Sequence, residues 1–183
     1  AGFLAVVAHA AVCTWFEVRF TVFRAHGLCG RDGGKMSRGK VNVVNPDDYI
    51  GEWGADAFRT YLMFLGSYEE GGDFRDKGIS GVKRFLDRLW RSVHDARTDG
   101  DVDTDVGRKL HQTLQQVCED IPKLSYNTAI AAMMEYINSM RSSELKPHVT
   151  ELRTPVQLGR PLPPPIAHDL CSVLATDASV CTP

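Results

Sequence analysis

Three cations, Lys35, Arg38 and Lys40, fall within six residues of one another, with Gly33-Gly34 ahead of them and Gly39 among them. Glycine frees the backbone at both points. The stretch from Gly33 to Pro46 therefore reads as a strap able to lay positive charge over a polyphosphate. Its work would be electrostatic, stabilising charge that develops on a phosphoryl group. Composition alone leaves a second reading standing, a solvated surface loop. A phosphate cradle of the Gly-x-x-x-x-Gly-Lys-Ser/Thr kind is excluded. Cys29 stands at its first glycine, and Met36 stands where a hydroxyl must meet magnesium.

Taken as a run, Lys35-Met36-Ser37-Arg38-Gly39 and the following Asn42-Val43-Val44-Asn45-Pro46 resemble the KMSKS signature of class I aminoacyl-tRNA synthetases and the Asn-Val-Val-Asn-Pro after it. Arg38 replaces the second lysine and keeps its charge. Gly39 replaces the final serine and removes a hydroxyl, and Val41 replaces a usual glycine and resists positive φ. Gly54-Ala55-Asp56-Ala57-Phe58-Arg59 is similar to the segment that follows the loop in related synthetases. Tyr61-Leu62-Met63-Phe64-Leu65-Gly66 looks leucyl rather than isoleucyl or valyl. Gly81 to Trp90, Leu110-His111-Gln112-Thr113 and Asn127 to Glu135 are similar, in order, to helices of the anticodon-binding bundle of the leucyl branch. The resemblance covers roughly residues 22–141; Pro165-Ile166-Ala167-His168-Asp169-Leu170 is faintly similar to a further bundle helix.

The resemblance implies part of an ATP-dependent leucine–tRNA ligase, forming leucyl adenylate and transferring it to tRNA-Leu. Lys35, Ser37 and Arg38 would act in catalysis, and Lys35, Met36, Ser37, Arg38 and Gly39 would bind ATP. ATP would bring Mg2+ as its co-substrate ion, with no metal held by this chain. The partners implied are tRNA-Leu, ATP, and leucine through a part of the catalytic domain outside this sequence. The location implied is cytoplasmic, with no membrane. The His-x-Gly-His signature and the editing domain of the family are not in this sequence; His9 and His26 lack that context. The alternative expectation is therefore a catalytically inactive tRNA-binding module, and the chain alone is expected to be inactive.

Behind these residues stand the elements that must hold them. Residues 1–30 are apolar and β-leaning, which predicts strand or buried helix. Gly30-Arg31-Asp32-Gly33-Gly34 predicts a tight turn, and residues 31–44 an exposed loop. Pro46, with Asp47 and Asp48 behind it, opens a short helix that Gly54 stops. Asp56 is placed to cap the next helix, through Phe58, Tyr61, Leu62 and Leu65. Three amphipathic helices follow. Val82, Phe85, Leu86, Leu89, Trp90 and Val93 make the stripe of the first, so Trp90 is expected in the core. Val106, Leu110, Leu114, Val117 and Ile121 mark the second, which Pro122 ends. Ala129, Ile130, Met133, Ile137 and Met140 mark the third. Pro155 to Pro165 contains five prolines and predicts an extended run.

The fold class expected is mainly α: the remaining edge of a Rossmann-type catalytic domain, then an up-and-down anticodon-binding helical bundle. The divisions expected are 1–45 for the end of the catalytic domain, 46–78 for a helical connector, 79–146 for the bundle, and 147–183 for an irregular Pro-rich tail.

A net charge of -2 offers no bulk basic field, so any RNA contact must rest on a local patch. Lys83, Arg84, Arg88 and Arg91 form such a flank; Arg84, Arg88 and Arg91 are the candidate tRNA contacts, against a simply solvated face. Trp53 could stack on a base or pack. His111 beside Gln112 reads as an exposed helix histidine rather than a metal ligand. The five cysteines are odd in number and form no Cys-x-x-Cys pair, which predicts reduced thiols. The apolar opening lacks an initiator Met and basic residues, so it reads as a buried segment of a longer chain rather than a signal peptide.

Overall fold

The computed structural model describes residues 24–31, 33–37, 42–98, 103–143 and 146–175. The apolar opening therefore lies outside the described residues. Three two-residue strands, β1 (Gly30–Arg31), β2 (Gly34–Lys35) and β3 (Asp73–Phe74), form a sheet of order β2-β1-β3. β1 pairs antiparallel with β2 and parallel with β3, with Gly30 opposite both Lys35 and Asp73. Part of the expected 31–44 loop is thus a tight hairpin. Gly33 makes its turn possible, at φ 76°, where a side chain would be strained.

Two short helices follow, α1 (Pro46–Trp53) and α2 (Ala55–Phe64). The Asn45 side chain caps α1 by accepting from the Asp47 N–H. Gly54 ends α1 and begins α2 at φ 88°, a junction only glycine takes without strain. A 3-10 turn at Asp76–Gly78 leads from β3 into the bundle. The bundle comprises α3 (Ile79–His94), α4 (Thr104–Asp120), α5 (Tyr126–Ser142), α6 (Val149–Gly159) and α7 (Pro164–Ala175). The Asp103 side chain caps α4 on the Asp105 and Val106 N–H groups. Lys109 pairs with Glu135 and Thr128 donates to Asp120, a register that makes α4 and α5 antiparallel.

The apolar stripe of α3 is buried as its spacing predicts, through Ile79, Val82, Phe85, Leu86, Leu89 and Val93. Trp90 is the exception. It is 38% exposed and stacks on His94, ring centroids 4.6 Å apart. The buried arc centres on Leu89, and the next residue points about 100° away round the helix, at the rim. One continuous core joins α2, α3, α5, α6 and α7, with Tyr136, Leu152, Leu162 and Leu170 fully buried.

The expected irregular tail is overturned up to Ala175: the segment supplies α6 and α7, which pack on each other and on the bundle. Two local devices start them. His148 and Glu151 form a capping box at α6. At α7, Pro164 and Pro165 occupy the first two helical positions, where no intrahelical N–H bond is needed. Residues 176–183 lie outside the described residues.

Asp56, placed by its sequence position as the cap of its own helix, serves another. Gly54 is the N-cap of α2 and makes no side-chain bond. The buried Asp56 carboxylate instead accepts the Ile166 N–H at 2.7 Å. Ile166 is the first residue of α7 with an N–H to offer.

Candidate functional site

The hairpin that carries the cationic strap is held by a carboxylate on the neighbouring strand. Asp73 Oδ1 accepts the Gly33 N–H at 2.9 Å, and its Oδ2 meets Arg75 Nε at 3.1 Å. The backbone bond and then the guanidinium hold the Asp73 carboxyl below its ordinary range. Arg31, on β1, pairs with Asp76 at 3.2 Å. Asp76 also accepts from the Tyr49 hydroxyl, which this bond and burial push above the usual phenol range. Tyr49 lies against Phe58 and Phe74, so the hairpin is braced directly on α1 and the core. Tyr61 completes the frame. Its hydroxyl donates to the Arg75 carbonyl at 2.7 Å and accepts the Arg75 N–H at 3.0 Å.

Lys35 leaves this frame at the end of β2 and is exposed. The next residues are pinned by one side chain. Asn42 Oδ1 accepts the Ser37 N–H at 2.9 Å, and Asn42 Nδ2 donates to the Lys35 carbonyl at 3.1 Å. One amide thus holds both ends of the strap together while Ser37 stays exposed and Met36 packs partly against the core. Arg38, Gly39, Lys40 and Val41 lie outside the described residues. Of the expected ATP-binding set, the structure therefore brings Lys35, Met36 and Ser37 together at the base of one loop. The strap's clamp was missed by the sequence reading, which matched Asn42 to a motif without a role for it. Its signal was its type: an amide carries a donor and an acceptor and can bind two backbone groups at once.

The basic flank lies on α3. Arg84 and Arg91 are exposed, and Arg88 donates to Asn138 Oδ1 at 2.9 Å. Lys83 is tied to Asp87 one turn on. Arg88 and Arg91 line a cavity of about 400 Å³ between the C-terminal ends of α3 and α5. Arg141 and Lys146, which the sequence reading did not single out, line it too. Trp53 is half-buried and packs against the core. His111 is exposed, its Nδ1 bonded to the Gly107 carbonyl at 2.8 Å. Among the described residues no three His, Cys, Asp or Glu side chains converge as a metal site would need. Cys29, Cys118 and Cys171 are in no disulfide among the described residues. No helix among the described residues is long and apolar enough to cross a membrane.

A small sheet bearing the base of the cationic loop is followed at once by a helical bundle. The fold is that of a segment of an aminoacyl-tRNA synthetase. It superposes on LeuRS from Agrobacterium radiobacter K84, solved as a ternary complex with tRNA and LeuAMS, with a TM-score of 0.73 at 24% identity, over 92% of this chain and 25% of that one. Within that class the chain is homologous to a segment of leucine–tRNA ligases. It is 38% identical to the leucine–tRNA ligase of Herpetosiphon aurantiacus over 163 residues, 84% of this chain and 20% of the relative. It is 40% identical to that of Cytophaga hutchinsonii over 161 residues, 85% of this chain and 17% of the relative. The chain thus spans about a fifth of the length of these relatives. No family model matches it.

Proposed function

We propose that this chain is the part of an ATP-dependent leucine–tRNA ligase that supplies the cationic ATP strap and tRNA-binding helices, working in the cytoplasm. In adenylation a leucine carboxylate oxygen attacks the α-phosphorus of ATP, and the bond to pyrophosphate breaks. Negative charge then grows on the leaving group. Lys35 and Arg38 offset that charge, and the Ser37 hydroxyl donates a hydrogen bond to a phosphate oxygen. ATP brings Mg2+ with it as co-substrate ion. Met36 seats the strap by packing inward, and Gly39 lets the chain approach the phosphates. Leucine is gripped by parts of the ligase outside this sequence. Residues 1–45 and 46–78 then belong to the catalytic core and its connector, and the helices from residue 79 form the tRNA-binding bundle.

The observation that carries this is the Asn42 clamp, which fixes the backbone of Lys35 and Ser37 at the strap's base. Pre-organised cations are worth far more to a transition state than mobile ones, because they need not reorganise as charge develops. The test is leucine-dependent ATP–pyrophosphate exchange by the full-length protein containing this chain. Exchange with leucine, lost on Lys35→Ala, supports the reading; exchange that Lys35→Ala leaves unchanged overturns the role of the strap.

A further inference from the structure

The cavity between the ends of α3 and α5 has an unusual balance of charge. Among the described residues, Arg88, Arg91, Arg141 and Lys146 line it together with a single carboxylate, Asp95. Several cations elsewhere on the bundle are matched locally: Lys83 with Asp87, Arg108 with Asp105, Lys109 with Glu135, Lys123 with Glu119. Arg91, Arg141 and Lys146 make no ion pair among the described residues, and Arg88 is held by a neutral amide, Asn138. Like charges left unpaired in one concavity repel, and the low-dielectric walls focus their field outward. Such an arrangement is stabilised when an anion enters.

The walls are also fixed in place. The Arg97 N–H donates to the Pro147 carbonyl and the Val149 N–H to the Arg97 carbonyl, both near 3 Å. Arg97 Nε donates to the Lys146 carbonyl at 2.9 Å. This parallel bridge between Arg97 and His148 holds the Lys146 backbone beside the end of α3. On the facing helix Asn138 orients Arg88.

We propose that this cleft is a seat for the phosphodiester backbone of RNA, with Arg141 and Lys146 completing a site begun by Arg88 and Arg91. The proposal rests on the RNA-binding reading given above and assigns its location and two further residues. A cavity of about 400 Å³ holds a phosphodiester group and several ordered waters, each water filling roughly 30 Å³. Arg88 and Arg91 present planar guanidinium forks that match phosphate oxygens. Lys146 contributes a point charge on a flexible stem. Asp95 offers an acceptor to a ribose 2′-hydroxyl, which favours RNA over a bare phosphate. The exposed Trp90–His94 stack lies on the same end of α3, where an unpaired base can lie against it.

The test uses the whole chain with unfractionated tRNA as the probe, titrated with salt. The wild type is compared with Arg141→Gln/Lys146→Gln, with Arg84→Gln, and with Lys123→Gln in the turn before α5, about 25 Å away along that helix. Each lost phosphate contact lowers the slope of log K against log salt by about 0.7–0.9. The double variant is therefore expected to lower it by about 1.5 and to weaken binding at least tenfold at low salt, with Lys123→Gln unchanged. Because the Arg141 and Lys146 side chains make no bond among the described residues, the variant should melt with the wild type. Without any substitution, tRNA should also shield the Lys146 amine from acylation but not Lys123. Binding that weakens with Arg84→Gln yet keeps its slope in the double variant overturns the cleft and leaves the RNA-binding helix face standing. Lys146 acylated equally with and without bound tRNA also overturns the cleft. A wild-type chain with no salt-sensitive tRNA binding overturns both.

Discussion

The Tyr136 hydroxyl donates a 2.8 Å hydrogen bond to the main-chain carbonyl of Glu151. That carbonyl lies four residues before Pro155, the proline inside α6. A helix residue at position 155 would ordinarily give its N–H to that carbonyl, and proline has none to give. A phenol from a different helix makes the missing bond. Tyr136 is fully buried, and burial drives its ionisation far above the ordinary phenol range, so it is a donor at neutral pH.

Removing that donor should expose the debt left by the proline. Tyr136→Phe is expected to destabilise the chain by about 1–3 kcal/mol, the penalty for a buried acceptor left unpaired. Pro155→Ala returns an N–H to the Glu151 carbonyl. In that background Tyr136→Phe should lose less stability. A double-mutant cycle in urea reads the difference directly, and additive effects would mean that the two residues do not serve the same carbonyl.

A second remote partner starts α7. Asp56 accepts the Ile166 N–H across 110 positions of sequence, doing what an N-cap side chain does for a helix whose own first residues are prolines. Asp56→Ala is expected to lose about 1 kcal/mol. Burial raises the Asp56 pKa above its ordinary value, opposed by the Ile166 bond and by Arg59. A raised folded-state pKa means that the folded chain holds the proton more tightly than the unfolded chain. The associated stability is full below the unfolded pKa and is lost as pH rises through the folded one. Asn keeps the acceptor without the charge. Relative to Asp56→Asn, the wild type should therefore gain stability as pH falls from 7 to 4; parallel curves across that range would refute the assignment.

These two bonds also mark how far the sequence could be read. The α3 stripe, the Asn45–Pro46 helix start and the Gly54 break were legible because each depends on neighbours within one turn. The run from Pro155 to Pro165 was not. Proline's local preference for extended chain is overruled by Tyr136 and Asp56, which reach the segment only through the fold. The candidate loop stood out for the same reason as the stripe, as cations and glycines close together in sequence. Its clamp was half legible, since Asn42 reveals its type but not the two backbone groups it will meet. Arg141 and Lys146 could not be joined to Arg88 and Arg91 from sequence, because the cleft exists only where two helix ends converge. Trp90 shows the limit of periodicity: a residue at the rim of a stripe is assigned to the core or to solvent by packing, not by spacing.

The clamp should govern how firmly the strap is held. Asn42→Ala removes both side-chain bonds, each worth about 0.5–1.5 kcal/mol. Trypsin cleavage after Arg38 or Lys40 is expected to accelerate roughly five- to tenfold in the variant, with cleavage elsewhere unchanged. Asn42→Asp should fall between, because the carboxylate still accepts from Ser37 but cannot donate to Lys35. Equal cleavage rates in all three proteins would remove Asn42 as the brace.

The strongest effect on chemistry is expected from the strap's own cations. In the full-length protein, Arg38→Ala should slow leucine adenylation by about 10²–10³-fold, the scale for one well-placed electrostatic contact. The loss should fall on kcat and on the pyrophosphate-releasing step, because the contact strengthens only as charge moves onto the leaving group. The KM for leucine should stay nearly constant, since the amino acid is held elsewhere. Arg38→Lys preserves the charge but not the fork geometry and should recover part of the rate. Combining Arg38→Ala with Asn42→Ala separates placement from charge. If the clamp acts by positioning the cations, its loss should matter less once Arg38 is gone, and the double variant should be faster than the product of the single effects. Steady-state ATP–pyrophosphate exchange measures all five proteins, the wild type included. Fully multiplicative losses would mean that Asn42 acts on something other than the charge that Arg38 delivers.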